Sequence, residues 1–175
     1  FDWQKSFPQV FATEGSGGFD AVIGNPPYLG MENMESVHRD YYYGSTEKAK
    51  RYKTAEHKAN LYSFFWEKAV SILKSQGFAG FITPYSWMTN SSFLELRRLL
   101  VQQSILSIVL LPLGIFKDAG IKTCTLILQK VHASDDELFK IQDIRDEPLE
   151  SIPSKIGTDK SLYQIQLLSL EFQPR

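Results

Sequence analysis

Apolar residues along this chain fall into two alternating kinds of run. Phe19 to Ile23 is short and nearly continuous, broken by one acid, Asp20, which is the pattern of a strand buried on both faces. The spacing then changes to three and four, with Leu61, Phe64, Phe65, Ala69, Ile72 and Leu73 on one side. It predicts a helix over 60–75, entered through Asn60 as N-cap and stopped by Gly77 in a left-handed conformation. Residues 78–83 read as the next buried strand, ended by Pro84. Ser92 and Glu95 have capping-box spacing for a second helix to about Gln103, with Phe93, Leu96 and Leu100 facing inward. Two more strands follow at 104–111 and 123–130, joined by a loop too short for a crossover helix, so this last pair is expected to be antiparallel. Strand, helix, strand, helix, strand and a hairpin-like return make half of a doubly wound sheet: α/β, partial Rossmann-like, mostly parallel with an antiparallel last strand.

The remaining segments pattern less clearly. Between Tyr28 and Asn60 apolar anchors are few, and irregular structure with a short helix around 46–54 is expected, of the kind that carries function above a rigid sheet. Beyond Val131, residues 138–144 and 162–170 alternate weakly, as peripheral strands separated by a proline-containing loop would. The chain therefore divides into 1–131 and a peripheral 132–175. It opens on Phe1-Asp2-Trp3, as if cut from something longer, and passes through Gly15-Ser16-Gly17-Gly18. That cluster leads into a strand and not a helix, so it reads as a flexible connection and not a phosphate-cradling loop.

Composition narrows the class. With 175 residues, 43% hydrophobic, the chain can bury one real core. No apolar run approaches the roughly 20 residues of a membrane span, and no basic-then-apolar leader opens it. Cys124 is the single cysteine, which excludes an internal disulfide framework and a thiolate zinc site, and a reducing cytoplasm fits. His38, His57 and His132 lack metal-ligand spacing, so no metal is expected. Net charge is -1 but unevenly spread: residues 47–58 hold five bases against two acids, while nine acids and five bases follow His132. The basic stretch suits phosphate, and it suits plain solvated surface equally.

The first strand runs into Gly24-Asn25-Pro26-Pro27-Tyr28. Gly24 permits an unusual backbone angle, and the prolines forbid both strand pairing and helix. Pro26 also holds Asn25 extended. A carboxamide and a phenol ring are thus fixed where open α/β sheets bind ligands, at the carboxyl end of a strand. Asn-Pro and Pro-Pro are also ordinary turn makers, and the residues alone leave that reading open.

Several segments in order carry a resemblance: Phe19 to Tyr28; Asn60-Leu61-Tyr62 leading into Phe65-Trp66-Glu67-Lys68-Ala69; Gly80 to Pro84 with Ser86-Trp87; and Gly114-Ile115-Phe116 before the strand from Thr123. Over residues 1–131 the chain resembles the adenine-N6 DNA methyltransferases of type II restriction-modification systems, which use S-adenosyl-L-methionine. The resemblance implies that Asn25 and the carbonyl of Pro26 accept the two hydrogens of a target amino group. It implies further that Tyr28 stacks on a flipped-out adenine, that Phe116 packs against the same base, and that Pro27, Leu61 and Phe65 wall the cofactor's adenine. For Phe116, Leu61 and Phe65 ordinary core packing is the competing reading.

The family's glycine-containing cofactor loop and ribose-binding acid have no counterpart here. The catalytic half is therefore expected without the cofactor's methionine and ribose contacts, in a chain inactive by itself. Implied partners are double-stranded DNA, the remainder of the methyltransferase, and a fused or separate endonuclease and target-recognition domain, with no membrane. Asn-Pro-Pro-Tyr also serves protein-glutamine and RNA-adenine methylases, and a non-catalytic scaffold is a further alternative.

Overall fold

The computed structural model describes residues 1–12, 17–44, 50–56, 58–116, 120–134, 137–156 and 162–166. Its strands are β1 (Phe19–Gly24), β2 (Leu73–Pro84), β3 (Gln103–Leu110), β4 (Thr123–His132), β5 (Leu138–Asp143) and β6 (Leu162–Gln166). They form a six-stranded sheet in the order β1-β2-β4-β3-β5-β6. Helices α1 (Trp3–Ser6), α2 (Pro8–Phe11), α3 (Ser36–Tyr43), α4 (Leu61–Ile72), α5 (Leu94–Val101) and α6 (Ile152–Lys155) surround it. β1, β2, β3 and β5 run one way, while β4 and β6 run the other. α4 and α5 are the crossovers that parallel strands require. This is the α/β, mostly parallel sheet that the alternation of patterns predicts.

β4 returns antiparallel beside β3, the hairpin-like return expected, and the sheet gives it a second partner as well. It inserts between β2 and β3, pairing Phe78 with Gln129 and Pro84 with Thr123 on one side and Leu110 with Cys124 on the other. Both of its edges are then hydrogen-bonded, and Cys124, Leu126 and Leu128 are fully buried. They join Tyr62, Trp66, Ala69, Phe81, Trp87, Leu96 and Leu100 in the main core.

β1 departs from the expectation of burial on both faces. It is the outer strand of the sheet, and Ile23 is 84% exposed. Phe19 is covered by the Trp3, Phe7 and Phe11 rings and Val22 packs on the main core, while Asp20, Ala21 and Ile23 are exposed. Gly24 has no left-handed backbone either. A β-carbon there would make ordinary contact with the Phe81 ring at 3.4 Å, so neither backbone angle nor crowding demands a glycine.

Helix ends also differ in detail. α4 stops at Ile72 and the left-handed residue is Gln76 (φ 63), not Gly77. A β-carbon on Gly77 would lie 3.0 Å from the Phe19 carbonyl, so strand contact explains that glycine. The turn before α5 is capped by Asn90, whose Oδ1 accepts from Ser92 N at 2.9 Å, in place of a Ser92–Glu95 box. Glu95 N instead donates to Glu56 Oε2 at 2.8 Å. Gly15 and Ser16 lie outside the described residues. Gly18 (φ +148) is pinned: a β-carbon would sit 2.4 Å from Lys74 N.

The segment from 29 to 60 has more anchors than its sequence suggests. Met31, Met34, Ala55, Ala59 and Phe64 form a second cluster, with Tyr42, Tyr43 and Tyr52 against it. Its helix is α3, at 36–43; of the helix expected at 46–54, residues 50–54 are turn and irregular backbone, while 45–49 lie outside the described residues, as does His57. The Glu67 carboxylate ties the segment to α4, accepting from Lys53 N at 3.0 Å and from Thr54 N and Oγ1 at 2.9 Å. α4 is consequently packed on two opposite sides. Tyr62, Trp66 and Ala69 face the sheet and Phe64 faces the second cluster, which leaves Phe65 43% exposed between them.

Candidate active site

β1 leads out of the sheet at Gly24 and delivers Asn25 exposed, Pro26 buried and Pro27 exposed. The next side chain locks the turn. Tyr28 is half-buried against the main core, and its hydroxyl lies 2.7 Å from Asn25 Oδ1 and 3.1 Å from the Ile82 carbonyl at the end of β2. The phenol's one hydrogen serves two acceptors, the shorter contact being to Asn25. Asn25 Oδ1 keeps a second lone pair for another donor. Burial, with Cys124 as the lesser cause, pushes the Tyr28 phenol up to about 12, so it stays a neutral donor at physiological pH.

Phe116 arrives from the loop between β3 and β4. Its ring meets Tyr28 edge-on, 6.3 Å between centroids and 77° between planes. Residues 117–119 of the same loop lie outside the described residues. On this carboxyl edge Arg145 also pairs with Asp143, Nε to Oδ1 at 2.8 Å and Nη2 to Oδ2 at 2.6 Å. Tyr85 follows directly on β2, and its ring centre lies 5.8 Å from that guanidinium. The structure thus brings Phe116 from a distant segment to the turn that holds Asn25, Pro26 and Tyr28.

Beside Asn25 a cavity of about 300 Å³ opens between β1 and α4, lined by Trp3, Ile23, Asn25, Pro26, Phe65 and Phe81 among others. Its walls are chiefly apolar and aromatic, with Lys68 the one cation among the described residues. Such a slot suits a planar apolar ring beside a polar group. Of the three positions that the resemblance assigns to the cofactor, Phe65 lines it. Pro27 does not, and Leu61 packs at the second cluster, lining a separate cavity with Met34 and Tyr42.

Trp3 is the wall that sequence reasoning missed. Asp2 Oδ1 caps α1 by accepting from Lys5 N at 3.1 Å, and Trp3 stacks on Phe7 at 5.9 Å and meets Phe19 edge-on at 5.7 Å. Aromatic residues at 3, 7 and 11 are a helical spacing that could have signalled a packed face. Nothing in that spacing says that the face borders Asn25.

Residues 1–116, about two thirds of the chain, match the profile of the Eco57I restriction-modification methylase. The chain belongs to this family. It is 29% identical over 133 residues to the type II restriction enzyme and methyltransferase RM.Eco57I of Escherichia coli, covering 73% of this chain and 13% of that relative. Among solved structures it resembles the methyltransferase subunit of a type I restriction-modification system from Streptococcus thermophilus, with a TM-score of 0.57 and 19% identity over 90% of this chain and 36% of that one. It also resembles a Listeria monocytogenes protein assigned to the class I S-adenosylmethionine-dependent methyltransferases, with a TM-score of 0.51 and 23% identity over 71% of this chain and 36% of that one. These structures show the fold, a Rossmann-like methyltransferase sheet. The chain spans about an eighth of the length of its curated restriction-modification relative. Among the described residues no helix is long and apolar enough to cross a membrane.

Proposed function

We propose that residues 1–131 are the catalytic half of a DNA adenine-N6 methyltransferase, and that 132–175 extend its sheet as peripheral strands β5 and β6 and begin the connection to a target-recognition region. The observation that carries this is Asn25, whose amide oxygen is held by the Tyr28 hydroxyl at the mouth of an aromatic cavity. An aromatic amino group is a poor nucleophile, because its lone pair is delocalised into the ring. Asn25 Oδ1 and the Pro26 carbonyl accept its two hydrogens and favour the geometry in which the lone pair is localised. As the nitrogen becomes positive the same two acceptors stabilise the charge, and being fixed by proline and by Tyr28 they need no reorganisation. No ionisable base is required at this position.

A base inside a duplex cannot reach Asn25, so the target is flipped out. Tyr28 supplies a ring face for it and Phe116 a second contact. The cavity walled by Trp3, Ile23, Phe65 and Phe81 fits the adenine of S-adenosyl-L-methionine, which when bound supplies an electrophilic methyl on sulfur. The rest of the donor site, DNA recognition and any endonuclease are assigned to a longer parent chain, in keeping with the 13% of the type II restriction enzyme and methyltransferase RM.Eco57I that this chain covers.

The test is methyl transfer by the full-length parent chain, with labelled donor offered DNA, RNA and protein. Label in N6-methyladenine of DNA is expected; label in glutamine of protein with none in DNA defeats the reading. The isolated 175-residue chain is expected to transfer none.

A further inference from the structure

A second cavity, of about 320 Å³, lies on the far side of Phe65, between α4 and the 29–60 segment. It shares Trp3, Phe65 and Lys68 with the cavity beside Asn25, and adds Tyr41, Tyr52 and Arg51 among others. Its floor is a ring stack: Phe64 lies 4.8 Å from Tyr42 at 15° and 5.1 Å from Tyr52 at 29°. Two cations border it. Arg51 sits 4.2 Å over the Tyr41 ring and binds the Tyr41 carbonyl through Nε at 3.2 Å, with its terminal amino groups unpartnered among the described residues. Lys68 Nζ is 6.0 Å over Tyr52. None of the described lining residues is an acid, and the neighbouring Glu67 carboxylate is taken up by Lys53 and Thr54.

Flat rings with cations and no carboxylate are the chemistry of a nucleobase carrying phosphate. Both cations face a cavity whose described lining holds no acid, so an anionic group on a flat ring is the ligand that matches rings and charges together. Arg51 comes from the basic stretch that the sequence marked as suited to phosphate. We propose that this cavity binds one unstacked nucleotide of a DNA strand, its base on the tyrosine rings and its phosphate on Arg51 and Lys68, next to the donor cavity. The strand as its source rests on the DNA-methylase reading; the nucleotide chemistry rests on the cavity alone.

The test uses the full-length parent chain saturated with S-adenosylhomocysteine, and a fluorescein-labelled single-stranded oligonucleotide followed by anisotropy between about 50 and about 200 mM salt. Arg51→Gln is expected to weaken oligonucleotide binding about three- to tenfold and to flatten the salt dependence by about one phosphate contact. Tyr41→Leu is expected to weaken it about two- to fivefold with the salt dependence unchanged. S-adenosylhomocysteine affinity, read by calorimetry, should be unaltered in both. Unchanged oligonucleotide binding in both variants overturns the proposal. A parallel loss of S-adenosylhomocysteine affinity also overturns it, by making the two cavities one donor site. Displacement of the oligonucleotide by deoxyadenosine monophosphate at equal concentration assigns the cavity to a free nucleotide and overturns the strand. A wild-type chain that binds no S-adenosylhomocysteine defeats the methylase reading instead, and leaves the oligonucleotide comparison intact.

Discussion

β1 and β4 look alike as sequences, short runs of branched apolar residues, yet the fold treats them oppositely. β4 has a strand on each side, and Cys124, Leu126 and Leu128 are sealed in the core. β1 has one strand neighbour, and Ile23 stands 84% exposed beside the cavity that contains Asn25. The same hydrophobic run therefore has two meanings. In β4 it is cohesion, and in β1 it is wall area for something the sheet does not itself supply. Phe65 tells the same story on α4: the helical pattern places it in the core, and the structure leaves it 43% exposed at the cavity.

If this contrast is right, substitutions separate by strand. Leu126→Ala should be the most disruptive, costing about 2–5 kcal/mol because a fully buried leucine leaves a void between two strands. Urea denaturation measures it, and a loss under about 1 kcal/mol would mean that β4 is less cohesive than its burial implies. Asn25→Ala in the parent enzyme should lower methyl transfer by about 10²–10³-fold. The urea midpoint should hardly move, since Asn25 is exposed and Tyr28 keeps the Ile82 carbonyl. Equal activity in that variant would remove the amide from the mechanism.

Phe65→Ala is expected to weaken S-adenosylhomocysteine binding by roughly tenfold, about 1.4 kcal/mol, with little change in folding. An unchanged calorimetric affinity would leave Phe65 as half-exposed packing only. Alkaline pH should sharpen the contrast from the stable side. Burial pushes the Cys124 thiol up to about 12 from 9.0, and the Tyr28 phenol up to about 12 from 10.0. The folded state holds both protons more tightly than the unfolded chain. Their contribution is thus full below about 9 and is lost as pH rises toward about 12. Urea midpoints from pH 8 upward should fall through this window, and Cys124 should resist thiol reagents at pH 8 until the chain unfolds. Ile23→Thr should have the smallest effect, within about 0.5 kcal/mol on stability. A larger loss would show that β1 is covered in solution.

The turn at Asn25 was legible because its constraints are local. Two prolines and the strand before them hold the chain wherever the sheet ends up. The order of strands and crossover helices was legible for the same reason, since periodicities of two and 3.6 report which faces of a segment are apolar. Other features were misread by the same means. Gly24 and Gly77 look like residues chosen for unusual angles, but neither has one, and Gly77 instead marks a close approach to the Phe19 carbonyl, a contact between distant segments. The 29–60 segment looks unanchored because Met31, Met34 and Ala55 show no period, although they pack together around Phe64.

The sequence by itself determined the kind of element along 19–28 and 60–130 and the α/β class, and it singled out the turn that carries Asn25. These depend on backbone restriction and on side-chain spacing within a few residues. Only the tertiary structure decided that β4 enters between β2 and β3, that β1 stays at the margin, and that Tyr28 fixes the Asn25 oxygen. It also decided that Trp3 joins Phe65 across one cavity while Leu61 goes to another. Each of those is a choice among partners far apart in the chain, settled by which arrangement buries the most apolar surface with its backbone hydrogen bonds satisfied, and no local pattern encodes it.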